Sequence, residues 1–181
     1  SGDGGGRGGR GGGRGGGAFE GVGSVASTGE AATIRIHHSF FELPDDDYET
    51  RAFDSRSGYG SSSYQDYAVA LGEDMTQRFV RRHRLKKVDP NAAMSDPVEP
   101  IIYYLDPGTP EPVRSALLDG TRWWNQAFEA AGYRNAFQVL MRPDSISSLD
   151  ARYNVINWVH RSTRGWSTGG SVTDPRTGEI I

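Results

Sequence analysis

The sequence predicts an α/β (α+β) fold: a mixed sheet with one long helix, preceded by the end of a β-rich domain and a Gly/Arg-rich tract. Three observations predict it. Residues 100–106 are a continuous apolar run bounded by prolines, the pattern of a strand covered on both faces. Residues 109–131 repeat apolar side chains every three or four positions, as an amphipathic helix does. Short β-type runs then follow at 137–142, 153–160 and 170–174, with another beginning at 179. A strand, a helix along it and further strands make the first half of a mixed sheet with a helix on one face. The expected organisation is a disordered segment at 1–31, the C-terminal part of a β-rich domain at 32–88, a linker at 89–99 and the sheet with its helix at 100–181.

Length and charge bound the rest. The chain has 181 residues, a formal net charge of −3 and no Cys. That length suits one ordinary domain, or a small one plus a fragment. The small net charge provides no global field for nucleic acid, which is not an expected partner. Without Cys there are no disulfides and no thiolate metal ligands in these residues. No signal peptide or membrane-spanning run is legible.

Residues 1–17 are a glycine tract interrupted by Arg7, Arg10 and Arg14. It has no apolar side chain to bury, so disorder is expected. An RNA-binding role would use those arginines and the later basic cluster 81–87, through phosphate contacts and stacking. Residues 32–43 alternate as a half-buried strand, with Ile34, Ile36 and His38 on one face. His37 and His38 point to opposite faces of such a strand and cannot chelate one ion together. Asp45, Asp46 and Asp47 lack the spacing of a calcium loop, and a solvated loop fits them better. Residues 64–71 read as a strand. Residues 75–88 fit a strand with a solvated basic face better than a helix, because a helix would gather only Phe79, Val80 and Leu85. Three prolines mark 89–100 as the linker.

In the helix, Thr109 is the expected N-cap, Pro110 the first helical residue and Gly132 the C-terminal stop. The expected buried stripe is Val113, Ala116, Leu117, Gly120, Trp124, Ala127, Phe128 and Ala131. Gly120 in mid-helix is expected to mark close contact with the sheet, and Trp123 to pack beneath a loop. Residues 165–170 place small side chains around Trp166, which suits close approach of a backbone to a ligand. The run Asp174-Pro175-Arg176-Thr177-Gly178 is a turn between two short strands.

Several of these runs occur in a telling order. They are His38-Ser39-Phe40-Phe41-Glu42-Leu43-Pro44, Trp123-Trp124-Asn125-Gln126-Ala127-Phe128, Tyr153 to Arg161, Gly165-Trp166-Ser167 and Ser171 to Ile181. Together they resemble the large bacterial zinc-dependent metalloproteases of the metzincin type, over residues 33–181. The resemblance implies the N-terminal half of a zincin-like catalytic domain, a zinc cofactor in a full-length parent and an extended peptide or protein substrate. It also implies export to the periplasm or cell surface of a bacterium. In such enzymes a helix carries H-E-x-x-H, whose histidines hold zinc while the Glu acts as general base. That motif is absent here: the four histidines are His37, His38, His83 and His160. The expectation is therefore an incomplete metallopeptidase, with no catalytic or metal residue in this piece and no activity alone. Its expected substrate-binding residues are Gly169, Gly170, Ser171 and Val172, on an edge strand that adds a peptide by main-chain hydrogen bonds. A sheet lacking its active-site helix is expected to expose apolar surface. The alternatives are an RNA-associated protein and a noncatalytic peptide-binding scaffold.

Overall fold

The computed structural model describes residues 33–160 and 165–181. The expected disorder at 1–31 lies outside the described residues. Ser39–Ile181 form one compact unit; of the other, Ser1–His38, only 33–38 are described.

The described residues form a mixed α/β fold, with three small sheets and a helical segment. β1 (Ser61–Gln65) pairs antiparallel with β2 (Thr76–Val80). β3 (Arg82–His83) pairs parallel with β7 (Glu179–Ile180). The third sheet contains β4 (Ile101–Leu105), β5 (Phe137–Met141) and β6 (Asn154–Ile156), all parallel, in the order β5-β4-β6. Two helices, α1 (Val113–Arg122) and α2 (Trp124–Ala130), lie between β4 and β5 in the chain, and both contact β5.

β4 is central because its side chains are apolar on both faces. Ile101 and Leu105 are buried, and so is Val139 of β5. The register places Ile101 beside Phe137, and Tyr103 beside Val139 and Asn154. Phe137 joins sheet to helix: it stacks on Phe128 at 5.6 Å and tilts against Tyr103 at 5.5 Å.

The helix differs from its expected form in three ways. It starts at Val113, after Pro112, not at Thr109. Thr109 is buried and donates its hydroxyl to Asp106 O at 2.8 Å, so it locks the preceding turn and does not cap the helix. Glu111 serves the helix start, accepting from Ser115 Oγ at 2.8 Å and from Arg114 Nε at 2.7 Å. At Trp123 a Gln126 N to Trp123 O bond tightens the turn and separates α1 from α2. The half-buried stripe is Arg114, Leu117, Leu118, Thr121, Asn125 and Phe128. It is rotated by about 100°, one residue step, from the expected one. Only Leu117 and Phe128 are shared. Trp124 and Trp123 are exposed, at 64% and 71%. Gly120 faces open space and marks no close contact. The expected stripe is the more apolar of the two; the observed one is distinguished by Asn125, whose Oδ1 accepts from Phe137 N at 3.3 Å.

The C-terminal stop is as expected. Gly132 has φ +87°, Gly132 N bonds Glu129 O, and Tyr133 N bonds Phe128 O. Here the segment 89–99 is no loose tether. Ser95 N donates to Gly132 O, Arg134 N to Ser95 O, and Tyr133 OH to Leu85 O. Asp96 pairs with Arg134 at 2.9 Å.

Other strands are shorter than expected. Residues 33–43 form no strand, and Ile34 and Ile36 are exposed. Alternation defines a face only where something packs on it. β1 ends at Gln65 because Asp66 turns the chain, its carboxylate accepting from Ala68 N. The run 75–88 does contain strands, β2 and β3. The strand expected at 153–160 is three residues, β6. The edge strand expected at 170–174 is reduced to one bridge, Thr173 to Ile180, and two hairpin bonds, Asp174 N to Glu179 O and Ile181 N to Val172 O. Small residues at 165–170 supply little side-chain packing to hold a ladder.

Two glycine substitutions separate these assignments. Gly132→Ala forces a Cβ into a φ of +87° and to 2.5 Å from Ala93 O. Thermal unfolding should show a loss of about 1–3 kcal/mol. Gly120→Ala adds a methyl to open space in a helix and should gain about 0.5–1 kcal/mol. A destabilised Gly120→Ala would mean that the helix packs on its other stripe.

Candidate functional site

An open cleft of about 1370 Å³ runs along the β6 side of the three-stranded sheet. Drug-sized ligand pockets occupy about 300–1,000 Å³, so this volume suits an extended segment better than a small molecule. Tyr103, Ile156, Val113 and Leu117 give it apolar surface. Residues 157–160 form one wall and Gly165 to Ser171 the other, with Arg81 and Gly60 also at its edge.

Asp106 fixes the first wall. It follows β4 directly and begins the turn Asp106-Pro107-Gly108. Its carboxylate accepts from Gly108 N at 3.0 Å, from Trp158 N at 3.3 Å and from Arg142 Nη2 at 3.4 Å. The Gly108 amide, then the Trp158 amide and Arg142, hold this carboxyl below the usual range despite burial. One side chain thus ties the end of β4 to the chain leaving β6. Trp158 then meets His160 edge to face at 6.1 Å. Its indole Nε1 is buried without an acceptor among the described residues.

The second wall has a different character. Among the described residues, no backbone N–H or C=O from Gly165 to Ser171 makes a hydrogen bond. These residues are exposed. Gly169, Gly170 and Ser171 line the cleft; Val172 does not, and its carbonyl accepts from Ile181 N at 3.0 Å. Residues 161–164, between the walls, lie outside the described residues.

Asp45 and Asp46, read as a solvated loop, are ion-paired to the chain's later arginines. Asp45 meets Arg84 at 2.6 Å and Asp46 meets Arg176 at 3.3 Å. Among the described residues no group of three or more His, Cys, Asp or Glu is placed to hold a metal ion. No described helix is long and apolar enough to cross a membrane.

Sequence reasoning missed Asp106, Trp158 and Arg81 as parts of the site. Asp106-Pro-Gly is a legible turn, but its second acceptor role depends on β6 arriving alongside β4. Trp158 read as a strand residue, and Arg81 as one of a basic run.

The model of a domain of unknown function (DUF5117) matches residues 18–88, which include Arg81 and Gly60. No curated protein and no solved structure matches the chain.

The Asp106 assignment has a pH signature. Its folded pKa lies below the unfolded value of about 3.9, so its contribution is present above about pH 4. It is lost as pH falls through the folded value. Asp106→Ala should cost about 1–3 kcal/mol at neutral pH and shrink the tryptophan-fluorescence change in acid titration. An unaltered titration would remove Asp106 as the anchor of Trp158.

Proposed function

We propose that this chain supplies the substrate-side wall of a zinc-dependent metallopeptidase of the metzincin type. In this reading Gly169, Gly170 and Ser171 receive an extended peptide through main-chain hydrogen bonds, with Val172 closing the edge. The reading rests on one observation above the others. Unpaired, exposed backbone from Gly165 to Ser171 borders a cleft whose opposite side is β6, an edge strand of the sheet. Unpaired edge groups are the template for strand addition. The order strand, helix, strand, strand, with both helices against the sheet, adds support.

Among the described residues no group of three or more His, Cys, Asp or Glu is placed to hold a zinc ion. No catalytic step is therefore assigned to them. The proposal places the zinc ligands outside these 181 residues, and the working compartment at the periplasm or cell surface.

Two tests separate the parts of this proposal. The coding frame continued past Ile181 should encode H-E-x-x-H on a helical pattern within about 100 residues. A frame without it removes the peptidase and leaves a peptide-binding scaffold. Peptide binding itself is read by tryptophan fluorescence on the 181-residue chain. Ser171→Pro deletes one amide donor and should weaken binding about tenfold, while Ser171→Ala should leave it unchanged. Equal affinities for both variants would remove the edge-pairing mode.

A further inference from the structure

The charged groups around the cleft are one-sided. Among its described lining residues there is no Asp or Glu, and the permanent charge is that of Arg81. Arg81 is exposed, and among the described residues no carboxylate lies within ion-pair range of it. Its neighbour Arg84, by contrast, is paired twice.

Arg81 is also held in place. It follows β2 directly, and its amide donates to Gly60 O at 2.9 Å. Its guanidinium lies over Gly60, where a Cβ would come within 2.6 Å of Nη2. Bare backbone at residue 60 therefore leaves room for the arginine head at the cleft. A second donor without an acceptor, the Trp158 indole N–H, belongs to the same lining. His160 lines it too.

We propose that the cleft selects acidic peptides, with Arg81 binding a side-chain carboxylate of the bound segment. A guanidinium presents a planar fork of donors that matches a carboxylate bidentately. The apolar surface from Tyr103, Val113, Leu117 and Ile156 takes the neighbouring side chains, and the backbone from Gly165 to Ser171 takes the main chain. This selectivity rests on the peptide-binding reading above. It assigns a specificity role to a residue of the segment matched by the domain of unknown function, which contributes Arg81 and Gly60 to a cleft otherwise built mainly by later residues.

The test uses the 181-residue chain and two fluorescent extended peptides, identical except that one carries glutamates where the other carries glutamines. Fluorescence anisotropy at low salt should give about fivefold tighter binding of the glutamate peptide, the scale of an exposed ion pair. The preference should shrink as salt rises. Arg81→Gln should abolish the preference, and Arg81→Glu should reverse it. Arg78→Gln, on β2, controls for loss of bulk charge and should keep the preference. Equal binding of both peptides, or a preference that survives Arg81→Gln, overturns the acidic selectivity and leaves peptide binding standing. Failure of both peptides to bind overturns the two together.

Discussion

Much of the arrangement depends on one buried ion pair. Arg84 grips Glu179 with two bonds, Nε to Oε1 at 2.7 Å and Nη2 to Oε2 at 2.8 Å. Its third nitrogen, Nη1, reaches Asp45 at 2.6 Å. Glu179 is almost fully buried, so its charge is tolerable only because this fork satisfies it. The two-residue pairing of β3 with β7 is too short to hold alone. The fork fixes its register. It thereby seats the hairpin 172–181, and the hairpin in turn carries the wall from Gly165 to Ser171. Tyr48 closes the network, with Arg82 and Arg84 over its ring at 4.8 and 5.8 Å. Asp174, fully buried, is paired with Arg176 at 2.8 Å. Such networks contribute more to a unique arrangement than to net stability, because desolvation offsets much of the attraction.

That constraint explains how residues so far apart in the chain meet at one cleft. Arg81 precedes β3 and β7 is the second arm of the hairpin, so the β3–β7 pairing brings both to the same place. The three-stranded sheet provides the other side through Asp106, which ties β4 to Trp158. The cleft is thus assembled from three separate stretches, each held by a charged side chain. Its described lining, in contrast, carries no carboxylate. The charged pairs of Arg84, Arg142 and Arg176 hold the fold, and Arg81 is not among them.

How much of this was legible depended on whether the signal was local. The run 100–106 gave β4 because its apolar continuity needs burial on both faces. Gly132 gave the helix stop because its positive φ and the two closing bonds are local demands. The helix face was misassigned because periodicity follows the more apolar stripe, whereas the observed one is marked by a contact made only on folding, Phe137 N to Asn125 Oδ1. The run 32–43 alternates like a strand yet has no partner strand among the described residues. In the candidate site, Gly169, Gly170 and Ser171 were marked by their small size and do line the cleft. Arg81 carried no local mark. What distinguishes it from Arg84 is the lack of a carboxylate partner among the described residues, and partners across 95 residues, as for Arg84 and Glu179, do not show in a sequence.

The central claim is that an extended peptide pairs with the open backbone beside β6. Amide hydrogen exchange of the chain, with and without a saturating extended peptide, tests it most directly. The account predicts slowed exchange at Gly169, Gly170 and Ser171, with little change at β1 or in the Arg84–Glu179 region. Unchanged exchange at those three amides in the saturated chain would contradict it.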